Sequence, residues 1–167
     1  MGIFDTADEA IAAAKAAQKE IQPMPLEFRE KIISNIRKKT LENAKMLSEM
    51  AVEETGMGNV GHKIIKHQLV AEKTPGTEDL TTIAWSGDRG LTLTEMGPWG
   101  VIGAVCPSTN PTCTVICNSI GMIAAGNSVV FMPHPSAKNC SNLAIDMVNR
   151  TSVEVGGPAN IATAVKE

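Results

Sequence analysis

The segment Cys106-Pro107-Ser108-Thr109-Asn110-Pro111 gathers a thiol, two hydroxyls and a carboxamide on a stretch that its prolines keep irregular. A carboxamide held on such a loop can donate a hydrogen bond to charge developing on a substrate oxygen. Asn110 can equally cap a helix that begins at Pro111, and the pattern leaves both roles open. A second polar segment, Met132-Pro133-His134-Pro135-Ser136, offers an imidazole. His134 beside Cys106 or Cys113 would make a nucleophilic pair, and a thiolate at Cys113 would gain from the dipole of the helix it opens. Buried, inert thiols are the commoner fate of such cysteines. Cys113 and Cys117 share a helix face without a second pair of ligands nearby, so no metal site is expected. Gly56-Met57-Gly58-Asn59-Val60-Gly61 matches GxGxxG, with Glu78 and Asp79 near the spacing of a ribose-binding acid. A charged helix carrying Glu53 and Glu54 precedes it where the dinucleotide fingerprint needs a strand, so a simple turn is expected there.

The two polar segments need elements that set them side by side, and each follows a short apolar run. Val101-Ile102-Gly103-Ala104-Val105 and Ser128-Val129-Val130-Phe131 have the continuous apolar character of strands buried on both faces of a parallel sheet. Pro111 opens a helix whose apolar run, Val115 to Ala125, stops at Gly126. Another helix is predicted from Pro135 to about Asn149, and a third strand from Ile161 to Val165 follows Gly156-Gly157-Pro158. Residues 100–167 therefore read as βαβαβ, an open parallel sheet with right-handed crossovers. Both polar segments then lie at the carboxyl ends of neighbouring strands, where such sheets bind ligands. Successive crossovers put both connecting helices on one face, so the other face needs separate cover, which the N-terminal helices supply only in part.

Residues 1–89 read as helical. Thr6 and Glu9 form a capping box before the Ala-rich run Ala10 to Ala17, which Pro23 and Pro25 end. A second helix from Leu26 carries Ile32, Ile33, Ile36, Leu41, Ala44, Leu47 and Ala51 to a stop at Gly56. After Asn59 a third places Val60, Ile64, Ile65 and Leu69 on one side and breaks at Thr74-Pro75-Gly76. Leu91 and Leu93 alternate with Thr92 and Thr94, so residues 90–96 are a strand serving as a hairpin or oligomerisation element.

Composition narrows the function classes. The 167 residues are 43% hydrophobic and 20% charged, the balance of a single globular domain. Net charge is −3 and no basic run exceeds Arg37-Lys38-Lys39, which argues against nucleic acid and anionic membranes. Residues 1–95 hold 27 of the 33 charged side chains and Met96 to Ala137 hold none, yet prolines leave no clean apolar run of membrane-spanning length. The four cysteines lack CxxC spacing, consistent with reduced thiols in the cytosol.

Four motifs in order resemble the CoA-acylating aldehyde dehydrogenases of bacterial propanediol and ethanolamine utilisation. They are Glu53 to Gly58 (EETGMG), Leu69 to Leu80 (LVAEKTPGTEDL), Gly100 to Thr112 (GVIGAVCPSTNPT) and His134 to Lys138 (HPSAK). The resemblance implies a partial NAD-binding domain over 1–167, with a Rossmann-like open sheet that lacks GxGxxG. It implies NAD-dependent oxidation of a short-chain aldehyde to acyl-CoA, with NAD as cofactor and coenzyme A as co-substrate. Asn110 matches the asparagine that donates to the thiohemiacetal oxyanion. Pro107, Ser108 and Thr109 match the nicotinamide-side loop, and Met132, Pro133, His134, Pro135 and Ser136 match the strand end near the adenosine ribose. It further implies a homo-oligomer in the cytoplasm or in a bacterial microcompartment, although the chain starts too close to its first helix to carry the targeting extension of many relatives.

Two departures stand out. None of the four cysteines matches the family's nucleophile motif, so the chain is expected to be the N-terminal portion of an enzyme and inactive alone. Met132 stands where the branch usually has Asn, and a thioether cannot reproduce that polar contact. The alternative is a non-catalytic nucleotide-binding or assembly module built on the same fold.

Overall fold

A computed structural model describes residues 1–166. Its order is β1 (Ile3–Phe4), α1 (Ala7–Ile21), α2 (Leu26–Thr55), α3 (Val60–Lys73), β2 (Ile83–Gly87), β3 (Gly90–Thr94), β4 (Val101–Val105), α4 (Pro111–Ala124), β5 (Ser128–Met132), α5 (Lys138–Glu154) and β6 (Ala162–Val165). Short 3₁₀ turns at Thr77–Asp79 and Pro135–Ala137 complete it.

Four parallel strands form the main sheet in the order β1-β6-β5-β4, with Val101 opposite Ser128, Val129 opposite Ala162 and Ile3 opposite Ala164. The predicted βαβαβ unit is present. Helices α4 and α5 bury Val115, Ile116, Ile120, Ile123, Ile145 and Val148 in the main core with Val129, Phe131 and Ile161. Across their outer side runs α2, whose 30 residues extend about 45 Å at 1.5 Å per residue. It buries Ile32, Ile33, Ile36, Ala44, Leu47 and Ala51 at the three-to-four spacing of one helical face.

The opposite face of the sheet is covered by α1. Three of its four buried residues, Ala10, Ala14 and Ala17, have side chains short enough to let the helix backbone approach the strands, and Ile21 at its end enters the main core. The hydroxyls of Ser128 and Thr163 donate to the carbonyls of Ala14 (2.7 Å) and Ala10 (3.2 Å), which a bulkier face would hold out of reach. Thr6 and Glu9 make the expected capping box.

Three expectations change. Residues 1–89 are not wholly helical, because β1 and β2 lie within them. Two residues of β1 are too few to show any periodicity, and they are strand only through pairing with β6, far along the chain. Strand β2 pairs antiparallel with β3 across Asp88-Arg89, and both strands are exposed along their length. The run Val101–Val105 is not buried on both faces: as an edge strand it leaves Val105 79% exposed and buries only Ala104. A continuous apolar run reports hydrophobicity, not position in a sheet, so the edge was invisible in it. Finally, α5 begins at Lys138 after a 3₁₀ turn, because the backbone at Ala137 (φ −145°, ψ 22°) leaves the helical region.

Arg29 ties the layers together. Its guanidinium donates to the carbonyls of Met24, Gln22 and Ala124, each at 3.1 Å, satisfying the ends of α1 and α4 at once. Burial among them lowers its pKa without threatening its charge. Arg29→Ala is expected to lower unfolding free energy by about 2–3 kcal/mol through lost charge-assisted bonds, measurable by urea denaturation.

Candidate active-site loop

Two loops leave the carboxyl edge of the sheet. The first runs from Cys106 to Asn110 between β4 and α4, the second from Pro133 to Ser136 between β5 and α5. The Cys106 N–H donates to the Met132 carbonyl at 3.0 Å, so the parallel ladder continues one step past the strands and sets the loops side by side. This is the crevice position predicted from topology.

The first loop is gripped by α3. Lys63 Nζ donates to the Thr109 carbonyl at 3.0 Å, and Lys66 Nζ donates to Asn110 Oδ1 at 3.1 Å. His67, fully buried, lies with Nε2 2.9 Å from Thr112 Oγ1 and Nδ1 2.8 Å from the Lys63 carbonyl. A carbonyl only accepts, so Nδ1 carries the proton and the Thr112 hydroxyl donates to Nε2. Ser48 Oγ, 3.0 Å from Nδ1, already donates to the Ala44 carbonyl and presents a lone pair to the imidazole. Burial, with Lys63 nearby, lowers the His67 pKa and keeps the ring neutral.

Asn110 occupies the position before α4 but makes no side-chain cap there. That removes the capping role left open by the sequence. Its oxygen is taken by an ammonium, and its Nδ2 donates to none of the described residues. Asn110 also borders a hollow of about 240 Å³ between α3 and α4, with Lys66, Leu69, Val70, Cys113 and Cys117. Pro107 and Thr109 are exposed and Ser108 is half-buried.

In the second loop, Met132, Pro133 and Pro135 line a cavity of about 450 Å³ together with Phe131, Val165 and Lys138. Met132 is 58% exposed and stands at its mouth. His134 and Ser136 are not among the residues lining that cavity and engage each other: Nδ1 of His134 accepts from the Ser136 backbone N–H at 3.2 Å and meets its hydroxyl at 2.8 Å. The structure therefore brings Met132, Pro133 and Pro135 together and leaves His134 and Ser136 as a local turn. Lys138, Lys63, Lys66 and His67 were not singled out from the sequence. Three of them lie on a helix whose charged residues look like an ordinary solvated face, and nothing in the pattern says that it meets the loop.

The thiols are not poised for attack. Burial pushes Cys106 and Cys113 up to about 11 and Cys140 up to about 12. At Cys113 the cations of Lys63 and Lys66 oppose that shift without overcoming it. The glycine-rich stretch 56–61 is the expected turn, with Gly56 in the left-handed conformation (φ 66°) closing α2 and Asn59 capping α3. Glu78 points back to Gly76 and Arg37, away from both loops. No cluster of metal-ligating side chains occurs among the described residues, and no helix among them is long and apolar enough to cross a membrane.

The sequence pattern of the aldehyde dehydrogenase family matches residues 4–167. The chain belongs to this family. An acetylating acetaldehyde dehydrogenase of Bilophila wadsworthia is 57% identical over 166 residues, covering 99% of this chain and 34% of that protein. A propionaldehyde dehydrogenase from the Clostridium phytofermentans fucose-utilisation bacterial microcompartment superposes with a TM-score of 0.98 at 65% identity. It covers 100% of this chain and 38% of its own. A Rhodopseudomonas palustris propionaldehyde dehydrogenase, solved with bound CoA, superposes with a TM-score of 0.97 at 50% identity, covering 99% of this chain and 38% of its own. The chain thus spans little more than a third of the length of these family members. The expected fold, an aldehyde dehydrogenase sheet preceded by helices, is present, and the relatives are CoA-acylating enzymes.

Two measurements check this account of the aldehyde dehydrogenase chain. With iodoacetamide at pH 7.5, only the half-exposed Cys117 is expected to react quickly, the three buried thiols reacting at least about tenfold more slowly as pKa and access dictate. His67 has a folded pKa below its unfolded value, so the unfolded chain takes up the proton first as pH falls. Stability is therefore full above about pH 6.5 and declines below it. In thermal melts, Tm should fall between pH 6.5 and 5, and His67→Gln should flatten that decline.

Proposed function

We propose that this chain forms the oxyanion side and the adenosine side of an NAD-dependent, CoA-acylating aldehyde dehydrogenase acting on a short-chain aldehyde. The observation that carries the reading is the Asn110 carboxamide. Its oxygen is occupied by Lys66 and its Nδ2–H is uncommitted, on a loop gripped at Thr109, Asn110 and Thr112. A donor fixed before reaction stabilises an oxyanion without reorganising, which is the usual source of a large rate effect.

The cavity beyond β5 suits the adenosine half of a dinucleotide. Phe131, Met132 and Val165 give it apolar walls for a base, and Lys138 is the one charged side chain lining it among the described residues. Met132 supplies no polar group to a ribose hydroxyl, so Pro107, Ser108 and Thr109 on the neighbouring loop take a larger share of orienting the nicotinamide end. When bound, the nicotinamide accepts the hydride. Asn110 donates to the oxygen of the thiohemiacetal formed as a thiol adds to the aldehyde carbon. Once that carbon has given up its hydride and the oxygen its proton the adduct is a thioester, and its acyl group passes to the thiol of coenzyme A as the enzyme thiol is freed. The attacking thiol is none of Cys106, Cys113, Cys117 or Cys140, and the family resemblance assigns it to a motif these residues do not match. The protein acts in the cytoplasm or within a microcompartment, as a homo-oligomer. Support for the latter comes from the β2–β3 hairpin, where Trp85, Leu91 and Leu93 are each more than half exposed.

The test uses the gene product at its natural length. With acetaldehyde or propionaldehyde, NAD and coenzyme A it should form NADH and acyl-CoA together, and NADH without acyl-CoA would reject the acylating reading. Asn110→Ala should lower kcat by about 10²–10³ with a smaller change in KM. Full kcat with lowered stability would make Asn110 a structural residue.

A further inference from the structure

One turn of α3 makes three different contacts with the loop after β4. Lys63 holds a backbone carbonyl and His67 holds the Thr112 hydroxyl at the start of α4, so both set the path of the chain. Lys66 alone touches the functional group of Asn110, at 3.1 Å.

The chemistry of that pair is one-sided. An ammonium has three donors and no acceptor, so only the carboxamide oxygen can face it. The planar amide then turns Nδ2 to the opposite edge. Without this constraint the final torsion of an asparagine is broad and roughly two-fold, and one of its two orientations aims an oxygen at the place where an oxyanion would form. A cation on the amide oxygen also polarises the group and strengthens its N–H as a donor. No carboxylate forms an ion pair with Lys66 among the described residues, and Lys66 is exposed, so the contact with Asn110 is what it contributes to the fold.

We infer that Lys66 is a positioning residue for Asn110, holding the carboxamide oxygen so that Nδ2–H faces charge developing on a substrate carbonyl oxygen. The inference rests on the oxyanion role proposed above and adds the residue that determines which edge of the amide is presented. Arginine should substitute for it, because a guanidinium also donates without accepting. Methionine, of similar length and without charge, should not.

Steady-state kinetics of the natural-length gene product test it with Lys66→Met, Lys66→Arg, Asn110→Ala and the double variant Lys66→Met/Asn110→Ala. Lys66→Met should lower kcat about tenfold, the scale of one charge-assisted hydrogen bond, while KM for the cofactor changes less than about twofold. Lys66→Arg should restore most of the loss. In the Asn110→Ala background, Lys66→Met should cause no further loss, since it acts only through that side chain. A Lys66→Met enzyme with unchanged kcat, or losses that multiply in the double variant, overturns the inference. A gene product without aldehyde oxidation would overturn the proposed function, and the Lys66 contact is then read directly. In ¹H–¹⁵N spectra of the natural-length gene product, the Asn110 side-chain amide pair, assigned by its loss in Asn110→Ala, should move in Lys66→Met and stay near its place in Lys66→Arg. A pair that ignores Lys66→Met overturns the inference as well.

Discussion

Right-handed crossovers between parallel strands govern the architecture. Passing from β4 through α4 to β5, and through α5 to β6, each step turns the same way, so both helices must lie on one side of the sheet. Two requirements follow from that asymmetry. The bare side needs a thin cover, which the alanine face of α1 supplies, with strand hydroxyls bonded to its carbonyls. The helix side needs a second layer, which α2 supplies by spanning α4 and α5. The carboxyl ends of the strands are left open, and both candidate loops emerge there.

Local signals made much of this legible before any coordinates. The Thr6–Glu9 capping box, the stop at Gly56, the Asn59 cap and Pro111 at a helix start depend on neighbours within a few residues, and each is where the sequence places it. What stayed hidden depends on distant partners. Ile3 and Phe4 are strand only because β6 lies beside them, and Val105 is exposed only because β4 ends the sheet. The Asn110 carboxamide illustrates the same limit in the site. Its location followed from topology, whereas the absence of a cap and the partner of its oxygen depend on Lys66, a residue 44 positions away on another helix.

The site is thus assembled by opposition rather than by enclosure. Backbone contacts from Lys63 and His67 fix where the loop runs, and the sheet ladder continued by Cys106 fixes its distance from the second loop. With its path set from behind, the loop can leave Nδ2 of Asn110 without an acceptor among the described residues. The buried imidazole contributes by being neutral, since only a lone pair on Nε2 can receive the Thr112 hydroxyl.

The pairing of β1 with β6 sets an order of events during synthesis. Ile3 meets Ala164, so β1 cannot be placed until β6 has been made. At about 5–20 residues per second, that leaves the N-terminal strand waiting roughly 10–30 s after it leaves the ribosome. Helices α1 to α3 can form their own turns in that interval, and α2 can pack on α3, while β6 must find β5 on one side and β1 on the other. Closure of so long a loop is slow, and until then the β6 edge is open to any other extended segment. Gly2, whose left-handed φ of 80° brings its backbone against Asn149 and the Ala162 carbonyl with no room for a Cβ, is a residue that this docking needs without a side chain.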